Sequence, residues 1–200
     1  MLQACLFGRE APVFDPSLRG LSRTWLDDES WVDHEPGFMR GHEALFEMLR
    51  TQASWREESR EMYERVVAVP RLLGHLPSSL SPAKQLLEDL SCCLSERYGV
   101  ALYDISLALY RDGEDSVAWH GDRCGGHPSS VVVTLSLGAP RRFLLRRPGA
   151  GLSRRYSLGW GDLLVMGGAC QRLWQHAVPK ARHADARLVI MFREDLGSEG

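Results

Sequence analysis

The sequence lacks the features that would assign it to a disulfide-rich, zinc-stabilised or membrane class. Its five cysteines are odd in number and form no C-x-x-C pair, which argues against a disulfide framework or a structural zinc cluster. No segment is apolar enough and long enough to span a bilayer. Residues 1–10 also lack a basic region followed by an apolar one, as a secretory signal would have. The cysteines therefore favour a reducing cytoplasm. We also expect a monomer without membrane association.

Lysine is scarce as well, with 2 lysines against 22 arginines in a chain whose net charge is −2. The segment 141–155 contains six arginines and no acidic residue. Arginine binds phosphate or carboxylate groups in bidentate fashion, so this segment favours contact with a nucleic-acid backbone. The alternative is that the arginines protect an exposed strand from aggregation.

The chain length of 200 residues fits one domain with a substantial core. Prolines and glycines predict an irregular segment over 1–40, whereas apolar spacing predicts helices over 41–52 and 82–98. Residues 55–69 should be extended. After residue 100 the apolar period is that of short strands separated by Gly and Pro, namely 105–110, 116–120, 131–137, 142–146, 154–158, 162–166, 174–178 and 187–192. This pattern predicts an α+β, mainly β fold: a jelly roll with the helices packed on one face.

A possible metal site begins with His120 and Asp122, two residues apart at the end of a predicted strand. Side chains at this spacing share one face, so an imidazole and a carboxylate can bind the same ion. A second histidine would complete a 2-His-1-carboxylate face with open positions for a co-substrate and O₂. The candidates are His127, His176 and His183, of which His176 has the apolar, aromatic surroundings that suit a buried ligand. The alternatives are a capping aspartate in a surface loop and a satisfied core histidine.

Two arginines at the ends of an apolar strand indicate an anion site. In the segment 187–193, Arg187, Val189, Met191 and Arg193 share one face. A guanidinium that faces the protein interior is costly unless an anion pairs with it, and no acid lies within the strand. A dicarboxylate ligand would supply the anion. The alternative is that both arginines lie at solvated strand ends.

The order of these motifs along the chain resembles that of the AlkB family of iron(II)/2-oxoglutarate dioxygenases, especially its bacterial members. The similarity covers roughly residues 60–194. It rests on Tyr-Arg-Asp-Gly (110–113), His-Gly-Asp (120–122), Ser-Leu-Gly (136–138), Gly-Asp-Leu-Leu-Val-Met-Gly-Gly (161–168), His-Ala-Val-Pro (176–179) and the arginine pair at 187 and 193.

The resemblance implies a double-stranded β-helix, that is, a jelly roll. It also implies that the two histidines and the aspartate, His120, Asp122 and His176, bind iron(II), with 2-oxoglutarate as co-substrate and O₂ as oxidant. In this reading Arg187 binds the distal carboxylate of 2-oxoglutarate, helped by the hydroxyl of Tyr110. The arginine at 193 would lie near the metal-proximal carboxylate and the substrate.

The expected activity is oxidative dealkylation of N-alkylated bases in DNA or RNA, a direct reversal of damage. In this interpretation residues 1–200 form one dioxygenase domain. Residues 1–100 would supply the N-terminal helices and a substrate-recognition lid, 101–194 the jelly-roll core, and 195–200 a disordered tail.

Four residues are predicted to contact the nucleic acid. Tyr63 lies where DNA-repairing relatives carry an intercalating finger, and Arg71 lies where they have a basic residue. Trp119 is adjacent to the first metal ligand and could stack on a base. Cys124 stands where the family often has an acid that meets the target base. A second departure from the family is Ala108, where an asparagine is usual.

Two other functions fit the same residues. The dioxygenase chemistry could act on a modified tRNA, a protein side chain or a small molecule. Alternatively, the jelly roll could be a non-catalytic module that recognises alkylated nucleic acid. Succinate release that depends on the substrate would separate the enzymes from the binding module.

Overall fold

The computed structural model describes residues 10–62, 65–76, 81–122, 129–151 and 154–194. These residues contain three helices and twelve strands. In chain order they are β1 (Ser22–Trp25), β2 (Ser30–Glu35), α1 (His42–Gln52), β3 (Ser54–Met62), β4 (Arg65–His75), α2 (Ser81–Tyr98), β5 (Asp104–Tyr110), β6 (Val117–His120), β7 (Val132–Gly138), β8 (Arg141–Arg146), β9 (Arg154–Leu158), β10 (Asp162–Gly168), α3 (Cys170–Leu173), β11 (Gln175–Val178) and β12 (Arg187–Arg193).

The strands form two antiparallel sheets. The larger sheet has eight strands in the order β1-β2-β10-β7-β12-β5-β4-β3, and the smaller has four in the order β6-β11-β8-β9. This confirms the predicted jelly roll, with its strands after residue 100 close to their predicted bounds. The helices over 41–52 and 82–98 are also confirmed.

The molecule has three layers because the larger sheet is apolar on both faces. One face packs against helices α1 and α2 through leucines such as Leu45, Leu49 and Leu90, all fully buried. The other face packs against the smaller sheet, with Val132 and Met166 in the same cluster as side chains of β8 and β11. The site described below lies between the two sheets.

The prediction of an irregular segment over 1–40 was wrong, since β1 and β2 form a hairpin that extends the larger sheet along β10. The extended segment predicted to end at 69 continues through Pro70 to His75. Pro70 is tolerated because it lies at a register shift between β3 and β4, where no ladder hydrogen bond from its nitrogen is needed. The larger sheet thus includes four strands from the first hundred residues. No helix among the described residues is long and apolar enough to cross a membrane.

Candidate active site

Three side chains converge on one point: one from each of two strands of the smaller sheet, and one from the loop that follows β6. His120 on β6 lies opposite His176 on β11 in the strand register, and their ring centroids are 4.2 Å apart. The carboxylate of Asp122 lies 4.0 Å from His120 Nε2 and 3.7 Å from His176 Nε2. One ligand atom from each residue lies within 4.8 Å of the others. Two imidazoles and one carboxylate in this arrangement can hold an octahedral metal with open positions on one side.

Neighbouring groups orient these side chains. The carbonyl oxygen of Ala118 accepts a hydrogen bond from His120 Nδ1 at 2.8 Å, which leaves the Nε2 lone pair free for a metal. The ring of Phe143 stacks on His176 with centroids 5.3 Å apart. The side-chain oxygen of Gln171 accepts a 2.9 Å hydrogen bond from the backbone nitrogen of Asp122. The contact of Gln171 could not be predicted, because this residue lies in α3, a four-residue helix that is too short to show an apolar periodicity.

Burial and charge set the protonation states that a metal ion needs. Burial lowers the pKa of His176 to about 4, so its imidazole is neutral near pH 7. Burial alone would raise the pKa of Asp122, but the nearby imidazoles and the guanidinium of Arg193 outweigh it. The net pKa of Asp122 lies below its ordinary value. The cluster therefore presents an anionic carboxylate at Asp122 and a neutral nitrogen donor at His176.

A small pocket joins this cluster to the inward face of the larger sheet. Its polar side includes Tyr110 and the two arginines of β12, Arg187 and Arg193, as the alternation along that strand predicted. Its apolar walls are Val117, Phe143, Val178, Val189 and Met191. The pocket thus combines cationic side chains with a cluster that can bind a metal.

Arg187 is the most buried charge of the pocket, with 1% of its surface exposed. Its Nη2 donates to the hydroxyl of Ser136 at 2.8 Å, while Nε and Nη1 have no hydrogen-bond partner among the described residues. Burial lowers the pKa of Arg187 to about 10, which still leaves it protonated at neutral pH. A buried cation with unused donors favours an anionic ligand.

Arg193, at the end of β12, connects this strand to the metal cluster. Its guanidinium donates to Ser106 Oγ at 2.9 Å and lies 3.4 Å from an oxygen of Asp122. An open cleft adjoins the pocket, and both share Arg71, His120, Asp122, Met191 and Arg193. A substrate in the cleft would therefore lie beside the metal cluster.

The predicted substrate contacts have different outcomes. Tyr63 and Cys124 lie outside the described residues, so their roles stay predictions. Arg71 lines both the pocket and the cleft. Trp119 lines neither of them; its indole lies 4.1 Å from the guanidinium carbon of Arg146. The predicted base contact of Trp119 therefore stays a prediction as well.

The arginine segment 141–155 divides between interior and surface. Arg141 is buried, and its guanidinium donates to three backbone carbonyls, those of Asp112, Asp115 and Pro179, at 2.7–2.8 Å. It therefore serves the fold and cannot contact a phosphate backbone. Arg142, the next residue, is exposed.

Asp27 ties together three segments around the smaller sheet. Its carboxylate accepts hydrogen bonds from the backbone of Ser30, from Arg147 and from the indole nitrogen of Trp174, the last two at 2.7 Å. Burial acts to raise the pKa of Asp27, but these donors hold it well below its usual value. Trp174 lies two residues before His176, so this contact helps to fix the start of β11.

Known proteins provide an independent comparison. The family model described as the 2OG-Fe(II) oxygenase superfamily matches residues 15–195. The human protein named alpha-ketoglutarate-dependent dioxygenase alkB homolog 3 is 30% identical over 187 residues, covering 79% of this chain and 64% of the human one. The chain thus spans just under two thirds of the length of that relative.

A more distant relative and a solved structure agree with this comparison. The protein of Arabidopsis thaliana named DNA oxidative demethylase ALKBH2 is 30% identical over 151 residues, which is 60% of this chain and 47% of that protein. An oxidoreductase of the 2OG-Fe(II) oxygenase family from Burkholderia pseudomallei superimposes with a TM-score of 0.54 at 14% identity, over 81% of this chain and 84% of that one. At that identity the superposition supports the fold alone.

Proposed function

The chain belongs to the 2OG-Fe(II) oxygenase superfamily, and on this basis we propose that it removes alkyl groups from nucleic-acid bases by oxidation. Its AlkB-like character, its enzymatic class and its use of iron(II), 2-oxoglutarate and O₂ follow from the family and from the relatives reported above. The choice of alkylated DNA or RNA as substrate is the proposal. It is supported by the names of the relatives, since one of them is a DNA oxidative demethylase.

The observation that carries the proposal is that a three-residue metal cluster and a cationic pocket open into one cleft. In this assignment His120, Asp122 and His176 hold iron(II). The unused donors of Arg187 and the hydroxyl of Tyr110 bind the distal carboxylate of 2-oxoglutarate. The bound iron and co-substrate supply the oxidation of a C–H bond by O₂.

The protein residues place the reactants and exclude water. The apolar walls of the pocket desolvate the co-substrate, which strengthens its contacts with Arg187. The guanidinium of Arg193 lies between the metal cluster and the cleft, beside Asp122. In that position it can contact the co-substrate or an anionic group of a substrate at the point of reaction.

The decisive experiment supplies iron(II) to the protein under anaerobic conditions together with 2-oxoglutarate. Oligonucleotides containing 1-methyladenine or 3-methylcytosine, single- and double-stranded, are added before air is admitted. Base mass, formaldehyde and succinate are then measured, with His120→Ala as the control. We expect loss of the methyl mass and release of formaldehyde by the wild type alone.

Other outcomes would change the assignment. Succinate release without demethylation, absent from His120→Ala, would retain the oxygenase and exclude these nucleic-acid substrates. A modified tRNA, a protein side chain or a free metabolite would then be tested for stimulation of succinate release. Tight, salt-dependent binding of alkylated DNA without any succinate would support the non-catalytic module instead.

A further inference from the structure

Three guanidinium groups surround the ring of Tyr110, and they differ in how many of their N–H groups have hydrogen-bond acceptors. The guanidinium carbons of Arg71, Arg141 and Arg187 lie 5.9, 5.7 and 5.3 Å, respectively, from the centroid of the Tyr110 ring. Arg141 donates to three backbone carbonyls and has no role left for a ligand. Arg71 and Arg187, by contrast, retain buried nitrogen atoms without a hydrogen-bond partner among the described residues.

The strand register places Arg71 and Arg187 on either side of Tyr110. Leu72 of β4 pairs with Leu109 of β5, so Arg71 lies beside Tyr110 at the next position. On the other side, Arg187 of β12 pairs directly with Tyr110. The three side chains form one row across three adjacent strands, and all three line the pocket.

The hydrogen bond between Arg71 and Tyr110 leaves the tyrosine hydroxyl able to donate to an anion. Arg71 Nη1 lies 3.1 Å from the tyrosine hydroxyl. A guanidinium can only donate, so the hydroxyl oxygen accepts this bond and its own hydrogen remains free to donate. The row thus offers an O–H group, the unused donors of Arg187 and the buried Nε of Arg71.

The charges of the row are also uncompensated. The described residues provide no carboxylate within ion-pair distance of Arg71 or Arg187, and Arg187 is fully buried. The adjacent row of the same face is apolar, since it consists of Leu73, Ala108 and Val189. The Arg71-Tyr110-Arg187 row therefore offers buried, uncompensated donors to an anion that enters the pocket, separate from Arg193 beside the metal cluster.

We propose that Arg71 is a second cationic ligand for the distal carboxylate of 2-oxoglutarate, acting with Tyr110 and Arg187. This differs from the role that the sequence suggested for Arg71, which was contact with nucleic acid. The inference rests on the proposed function, because it takes this pocket as the 2-oxoglutarate site. The segment that carries Arg71 lies before residue 100, so the co-substrate site draws on a strand outside the predicted jelly-roll core.

The test measures co-substrate affinity directly, without turnover. Protein loaded with manganese(II) is titrated by calorimetry with 2-oxoglutarate and, separately, with pyruvate, which has the keto acid but lacks the distal carboxylate. The variants are Arg71→Met, Arg71→Lys and Arg187→Met, with Arg142→Met as a matched control at an exposed arginine. Fluorescence anisotropy measures the affinity of each variant for a single-stranded oligonucleotide.

We expect Arg71→Met to raise the Kd for 2-oxoglutarate by about tenfold or more, the effect of losing a charge-assisted hydrogen bond. Arg71→Lys keeps the charge but not the planar fork, so its Kd should rise less. The Kd values for pyruvate and for the oligonucleotide should change by less than about twofold, because both ligands lack the contact that is removed. Arg142→Met should bind 2-oxoglutarate as the wild type does.

The results separate this inference from the proposed function. Normal 2-oxoglutarate affinity in both Arg71 variants, with a large loss in Arg187→Met, would overturn the role of Arg71 and leave the pocket assignment intact. Weaker oligonucleotide binding with unchanged 2-oxoglutarate affinity would return Arg71 to nucleic-acid contact. Unchanged affinity in Arg187→Met as well would refute the pocket assignment itself. If Arg71→Met fails to fold, Arg71→Lys carries the same test.

Discussion

Replacing Arg141 by methionine tests whether this arginine supports the fold or binds a ligand. Its guanidinium gives three hydrogen bonds to backbone carbonyls at 2.7–2.8 Å and is 3% exposed. Methionine fills much of the same volume but leaves the three carbonyls without their donor. Because the substitution removes a charged donor and leaves three buried acceptors without a hydrogen bond, we expect the free energy of unfolding to fall by about 3–5 kcal/mol.

The neighbouring arginine provides the control. Arg142→Met removes an exposed guanidinium from the opposite face of β8, so its free energy of unfolding should change by about 0.5 kcal/mol or less. Urea denaturation at pH 7, followed by tryptophan fluorescence, measures both variants. Equal stability of the Arg141 and Arg142 variants would refute the structural role of Arg141 and revive its assignment to a phosphate contact.

Three further changes test the surroundings of the metal cluster. Asp122→Asn replaces the anionic ligand with a neutral amide and should weaken iron(II) binding at least about 100-fold in a chelator competition, whereas unchanged binding would exclude this site. Gly121→Ala places a methyl group against the carbonyl oxygen of Gln171, so iron affinity should fall about tenfold while circular dichroism stays that of the wild type. Asp27→Asn should cost about 1–3 kcal/mol of unfolding free energy at pH 7. Because the folded-state pKa of Asp27 is lowered, this cost is complete above the ordinary pKa of about 3.9 and declines as pH falls below it; an equal cost at pH 3 would contradict the reasoning.

The strands that follow residue 100 could be predicted because their apolar residues recur between Gly and Pro turns. The β1–β2 hairpin could not, because β2 buries polar groups. Asp33 is 1% exposed and accepts hydrogen bonds from Arg23 and Tyr98, and Ser30 is fully buried. A strand stabilised by hydrogen bonds to distant residues has a polar sequence that resembles a loop.

The members of the candidate site followed from local spacing, but their supporting contacts did not. The i,i+2 spacing brought His120 and Asp122 together, and the apolar surroundings of His176 identified the third member of the cluster. The indole of Trp174, in contrast, is held by Asp27, 147 positions away. Such contacts depend on which strands pair and in what register, and neither can be read from a single sequence.

Register also decides the fate of adjacent residues with the same chemistry. Arg141 and Arg142 are the same residue type and differ only in the face of β8 on which they lie. A shift of one residue in strand pairing would exchange buried and exposed positions. For this reason the arginine segment as a whole suggested a surface, although its first member lies inside.

The position of β12 in the larger sheet has a consequence for how the chain folds. β12 is the last of the described strands, yet it lies between β5 and β7 in the middle of the sheet, and it carries two of the three arginines that line the pocket. During synthesis, the edges of β5 and β7 that pair with β12 therefore remain unpaired until residues 187–193 leave the ribosome. Such late, non-local pairing predicts folding on the millisecond-to-second scale and a truncated chain that is prone to aggregate.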